Sequence, residues 1–343
     1  TTPAAASPPP APSSSDPLGV RADFPITKTR TYLNSAYIAP MPTPVVEAGR
    51  KFMERRATEP LSVGELLRTV GQVRAKFARF INAAPEEVGL LYTTTEGENI
   101  VANAIPWQRG DNVVIDDLHY EAAFILYRQL EARHGIELRI VRNRDGAVTV
   151  ADYEPMVDAR TRLVSVAWVS SVNGFRHDVK AIAEVAHAKG ALVYADAIQA
   201  VGMVPVDVQE AGVDALCCGT YKWLLASYGV APFYVRADLL DRIVPDRMGA
   251  LHVERTLPDH RYEIYKTAKK FDYATLAFGP VYQLGAALQY LNRVGVERIE
   301  RHTVDLAHQL ADGLRGRGLT VLTPSGTRSS IVTFSNPADA AAT

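Results

Sequence analysis

Two short runs decide the fold: Ala191-Leu-Val-Tyr-Ala-Asp196-Ala-Ile-Gln199 and Val213-Asp-Ala-Leu-Cys-Cys-Gly-Thr-Tyr-Lys222-Trp223. Each has the apolar pattern of a buried strand and ends on a charged side chain. Working outward, similar runs occur at 87–92, 112–115, 137–141, 163–168 and 230–235. With 191–195 and 215–218 they make seven predicted strands. Helical periodicity fills 96–105, 121–134 and 179–189; Asp178 is placed to cap the last of these and Gly190 to end it. Strands alternating with helices predict an α/β fold, a mainly parallel seven-stranded sheet sandwiched by helices. Ligands of such sheets bind at the carboxyl ends of the strands, where Asp196 and Lys222 fall.

A lysine at the end of a buried strand is costly unless its amine has a partner or a task. A carboxylate at a neighbouring strand end suits a cationic ring nitrogen. Pyridoxal 5′-phosphate (PLP) needs this pair: a Schiff-base lysine and an acid at the ring nitrogen. Lys222 is therefore expected to be the catalytic residue, holding the cofactor and moving the substrate α-proton. Asp196 is expected on the ring nitrogen, with a helix N-cap as its plainer reading. Thr93-Thr-Thr-Glu-Gly-Glu-Asn99 reads as a strand-to-helix turn. The hydroxyls of Thr94 and Thr95 and the amides of Glu96 and Gly97 there suit a phosphate. The same spacing also describes a simple cap.

Three words in register carry a family resemblance: Trp168-Val-Ser-Ser-Val-Asn-Gly174, Ala195-Asp-Ala-Ile-Gln-Ala-Val-Gly202 and Gly219-Thr-Tyr-Lys-Trp-Leu-Leu225. The chain resembles the class V aminotransferases of PLP fold type I, a group that includes the cysteine desulfurases. The likeness is densest over 164–236 and extends weakly from 32 to 334. It implies that Gln199 reaches the phenolic oxygen of the cofactor. It puts Tyr120 where desulfurases stack a histidine on the ring, an exchange that keeps an aromatic face there. His119, beside it, is the other candidate for that place, although adjacent residues rarely face one way and it is expected to face elsewhere. Ser171 falls where an asparagine approaches the cofactor oxygen, with Asn173 as its substitute. Thr220 and Tyr221 are expected to add hydroxyl contacts, although desulfurases usually carry Ser at 219 and His at 221. Thr275 matches a threonine that reaches the phosphate in a partner subunit, which implies a homodimer with shared sites. Trp168 reads equally as core or site.

The bulk composition is ordinary. The chain has 343 residues and a net charge of −1, with 47% hydrophobic and 22% charged residues. No global field favours nucleic acid or an anionic membrane, and no run is long and apolar enough to span a bilayer. Cys217 and Cys218 are adjacent in a predicted strand, so they point to opposite faces and read as small buried fillers. No Cys/His spacing suits zinc, and neither a dinucleotide nor a triphosphate loop is found.

Residues 1–20 form a Pro/Ala/Ser tract read as a disordered leader. A cytoplasmic location is expected, with export of a processed form left open. Residues 21–278 read as the PLP-binding domain. Two long helices (282–294, 296–316) and strands at 319–322 and 330–334 then open a smaller α+β domain, 279–343, expected to be incomplete. The family's substrate-clamping arginine and any catalytic cysteine would follow Thr343.

The expected function is that of a PLP-dependent transferase or lyase acting on a small amino acid, either desulfurase-like or epimerase/aminotransferase-like. A cysteine or cysteine-sulfoxide C–S lyase is the alternative among enzymes. A non-catalytic PLP-binding sensor or scaffold is the alternative from another class.

Overall fold

A computed structural model describes residues 16–335. The expected leader lies outside the described residues up to position 15, as does the chain's end, 336–343. The central sheet contains β1 (Val88–Leu91), β2 (Asn112–Asp116), β3 (Glu137–Val141), β4 (Thr161–Ala167), β5 (Leu192–Asp196), β6 (Ala215–Cys217) and β7 (Ala231–Val235). Its seven strands run in the order β1-β7-β6-β5-β4-β2-β3. Strands β2 to β6 pair in parallel, while β7 runs antiparallel to both β6 and β1. That reversal has a local cause. A parallel return needs a crossover, usually a helix, and residues 218–230 form none, so the chain doubles back.

The helices are α1 (Thr43–Thr58), α2 (Val63–Phe80), α3 (Thr94–Ala104), α4 (Glu121–His134), α5 (Val150–Tyr153), α6 (Val179–His187), α7 (Val208–Ala211), α8 (Phe278–Val294) and α9 (Val296–Arg315). Asp178 does cap α6, its carboxylate accepting from the Ala181 amide at 3.1 Å. The core divides between the two sheet faces. Val193, Leu216 and Cys218 join one apolar cluster, whereas Tyr194, Ala215 and Cys217 join the other. Alternate strand residues thus serve opposite cores, as the pleat requires. Both cysteines are free and buried.

Helix α8 packs against α1 and α2 through Val281, Leu284 and Leu288, which ties it to the N-terminal helices. After α9, the strand expected at 330–334 is corrected. Residues 330–333 run without regular pairing, and β11 (Phe334–Ser335) alone pairs with β10 (Thr320–Val321). The sequence reading also missed an exposed hairpin, β8 (Val253–Leu257) with β9 (Arg261–Ile264).

Candidate active site

The carboxyl ends of β5 and β6, the start of α3 and the 218–230 segment surround a cavity of about 960 Å³. Its wall includes Thr94, Thr95, Tyr120, Ser171, Asp196, Gln199, Tyr221 and Lys222, so eight expected site residues come together. Helix α3 reaches this position because of Gly97. A Cβ there would lie 2.6 Å from Cβ of Cys217, so only a glycine lets the helix N-terminus sit so close to β6. Thr93 caps the helix, its hydroxyl accepting from the Glu96 amide at 3.3 Å.

Asp196 is buried, and Oδ1 accepts from the Ile198 amide at 3.0 Å. Among the described residues it makes no direct ion pair. Burial pushes its carboxyl above the usual aspartate range, against the pull of His119. Burial acts the opposite way on Lys222, lowering its amine, while the charge of Asp196 pulls it back up. Gln199 is clamped: its amide nitrogen donates to Ala36 O at 3.1 Å and its oxygen accepts from Trp223 Nε1 at 2.7 Å. Tyr120 stands just before α4 with its side chain open (54% exposed) on the cavity wall. Tyr221 stacks on Tyr228, with ring centroids 4.3 Å apart and planes at 20°. His119 faces inward as expected, with Nε2 3.1 Å from Ser165 Oγ.

Three expectations are corrected. Glu96 does not reach the cavity. Its amide is taken by Thr93, and its carboxylate accepts from the Tyr92 amide at 2.9 Å and pairs with Arg247 at 2.7 Å. The exposed start of the helix belongs to Thr94 and Thr95 instead, and Gly97 sits behind it on β6. Thr220 spends its hydroxyl on Ser227 O at 2.5 Å and Val230 O at 3.1 Å, so it is a loop clasp. Asn173 holds a turn through Gly146 O at 2.7 Å and the Phe175 amide at 3.0 Å, and is no substitute for Ser171. Trp168 is core. Thr275 is exposed and is not among the residues lining this cavity, with its carbonyl accepting from Tyr92 OH at 2.9 Å.

Tyr32, Tyr92, Glu98 and Tyr228 also line the cavity and were missed. Glu98 had a readable signal, since it is an acid one helical turn after Thr94 on a face otherwise buried.

A family model described as Aminotransferase class-V matches residues 31–341. The chain belongs to that family. This class V aminotransferase-family chain is 33% identical to the probable cysteine desulfurase of Methanothermobacter thermautotrophicus over 297 residues, 85% of this chain and 74% of the relative. It is 31% identical to the cysteine desulfurase of Klebsiella pneumoniae over 334 residues, 92% of this chain and 81% of that one. The apo structure of the cysteine desulfurase from Thermococcus onnurineus superposes with a TM-score of 0.88 at 26% identity, covering 97% of this chain and 86% of that chain. The class V chain is thus a cysteine desulfurase-like enzyme of PLP fold type I.

Its cofactor is PLP, and the residues present fit that group. A buried carboxylate with no cation bonded to it, an amine held below its ordinary basicity and a helix N-terminus converge on one cavity. They match a ring nitrogen, an aldehyde and a phosphate. Among the described residues no helix is long and apolar enough to cross a membrane, and no His/Cys/Asp/Glu group could hold a metal.

Proposed function

We propose that this enzyme removes sulfur from L-cysteine, or from a close analogue, to give alanine and a persulfide on an acceptor thiol. The convergence of Lys222, Asp196 and Gln199 on one cavity carries this reading, together with the likeness to named desulfurases. Bound PLP supplies an electron sink that makes the substrate α-proton acidic. The rest falls to the chain. Lys222 Nζ, its basicity lowered by burial, would hold the cofactor and would take and return the α-proton. Asp196 would hold the ring nitrogen protonated. Gln199, fixed by Ala36 and Trp223, orients the ring's phenolic oxygen. Thr94 and Thr95 would hold the phosphate at the start of α3, and Tyr120 would offer an aromatic face to the ring.

The sulfur acceptor is neither Cys217 nor Cys218. Both are buried, and desolvation pushes their thiols well above the usual range, which keeps them unreactive. Lys222 is also the single cationic side chain among the described residues lining the cavity, so the substrate carboxylate is held by a group from elsewhere. Thr275, exposed beside Tyr92, is read as facing a partner subunit's phosphate site in a homodimer.

The test uses the full-length, PLP-loaded protein with L-cysteine and an added thiol. Alanine formed in step with persulfide, and lost in Lys222→Ala, supports the proposal. Pyruvate, ammonia and sulfide in equal amounts would show C–S lysis instead. No turnover of cysteine by the loaded protein would overturn both and return attention to epimerisation or transamination.

A further inference from the structure

The cavity holds a second carboxylate that the site as described leaves without a role. Glu98 is 4% exposed and lines the same cavity as Asp196. An acid this deep needs partners, and only one of its oxygens has them. Oε1 accepts from Ser165 Oγ at 2.6 Å and from Tyr127 OH at 2.9 Å. The chain of donors continues outward. His119 Nδ1 accepts from the Tyr120 amide at 2.8 Å, so a neutral His119 carries its proton on Nε2. Nε2 then donates to Ser165 Oγ at 3.1 Å, and it stands 4.0 Å from Oε1 itself. Oε2 takes no hydrogen bond from the described residues, yet it is not among their sealed, unpartnered polar atoms. It is open towards the cavity.

We propose that Glu98 is a second anion of the cofactor site, which with Asp196 stabilises the positive charge on the PLP ring nitrogen. The proposal rests on the PLP reading above. Two carboxylates in one desolvated cavity repel, and a charge on Glu98 favours the protonated form of Asp196. The charge of Glu98 is indeed among the influences that raise Asp196. A cation facing both relieves that repulsion, so it binds more tightly and keeps its proton to higher pH. The groups around Glu98 leave this balance to the two acids. Ser165 on β4, Tyr127 on α4 and Tyr194 on β5 are neutral hydroxyls, and His119 follows β2. On α3 itself, Glu96 turns away to Arg247. Among the described residues lining the cavity the one cationic side chain is Lys222, whose amine is committed to the cofactor.

Glu98 thereby acts on the ring by its charge and positions His119 through Ser165. The test compares Glu98→Gln, which keeps an acceptor for Ser165 and Tyr127, with Glu98→Asp, which keeps the charge. Both are prepared as full-chain holoproteins. The readouts are the pH titration of the bound cofactor's visible absorbance and the PLP dissociation constant. Glu98→Gln should move the absorbance midpoint down by about one pH unit and weaken PLP binding roughly tenfold. Glu98→Asp should stay near wild type on both. Complete loss of PLP from Glu98→Gln alone would also support the proposal. Equal shifts in the two variants would mark a packing effect, and no shift in either would leave Glu98 without influence; both overturn it. Wild-type protein lacking a Lys222-dependent visible band would instead refute the PLP reading itself.

Discussion

At the residue scale, burial sets both key groups and does so with opposite signs. It raises the Asp196 carboxyl and lowers the Lys222 amine, because in each case the charged form is the one that loses water. PLP therefore attaches to the cofactor-free protein by a reaction whose rate rises with pH. The midpoint should lie below the ordinary lysine value of 10.5. In Asp196→Asn that midpoint should fall further, since the attraction holding the proton on Lys222 is gone. Stopped-flow absorbance across pH checks both; a midpoint at the ordinary value would mean that Lys222 is solvated. This pair was readable from sequence because a charge at the end of an apolar run has no cheap explanation. Thr220 was misread for the complementary reason. A hydroxyl beside the lysine can satisfy itself on local carbonyls, and nothing in its neighbours' identities shows that Ser227 and Val230 take it.

At the element scale, the site depends on how closely α3 approaches β6. Gly97→Ala places a methyl group against the Cβ and sulfur of Cys217 and the ring of Phe233, all buried. Overpacking of this kind costs about 1–3 kcal/mol. The helix start should shift with it, so phosphate affinity and melting temperature should fall together; calorimetry with and without PLP measures both. A variant with wild-type stability would show that α3 has room to move. The strands of the central sheet were legible because buried strands must be apolar throughout, and their ends came out within a residue or two. The β8–β9 hairpin was not legible, since Val253-Glu-Arg-Thr-Leu257 lies mostly exposed and its pairing relies on backbone bonds and an Arg255–Glu263 ion pair of 2.6 Å. Residues 330–333 erred the other way, their alternation being spent on the cavity wall and the turn at Ser329 and not on a ladder.

At the scale of the whole molecule, the proposed homodimer has a test of its own. Thr275 lies on the segment after Asp272, which is anchored by a buried ion pair with Arg74 and by the Leu90 amide at 2.8 Å. If it serves a partner's phosphate, sedimentation should show a dimer, and Thr275→Val should leave the dimer intact while weakening PLP binding roughly tenfold, the worth of one hydrogen bond to a charged group. The same architecture gives the cofactor-free protein a stability defect with a defined pH window. Because the folded state raises Asp196, it binds more protons than the unfolded state above 3.8, so stability falls as pH rises through the raised value. Because it lowers Lys222, it binds fewer protons below 10.5, and that cost fades only as pH climbs past the lowered value. Both penalties coexist between those two points, where both groups are charged and buried. Without PLP, Asp196→Asn should therefore melt at a higher temperature than wild type near neutral pH, and the gap should close as the medium is acidified through the Asp196 titration. With PLP at about a hundred times its dissociation constant, binding adds about 2.7 kcal/mol to wild type. The order should then reverse, because the asparagine variant has lost the acid that holds the ring nitrogen. Melting curves of both proteins, with and without cofactor, test the pattern. An asparagine variant that is the less stable in both states would mean that Asp196 serves the fold first and the cofactor second.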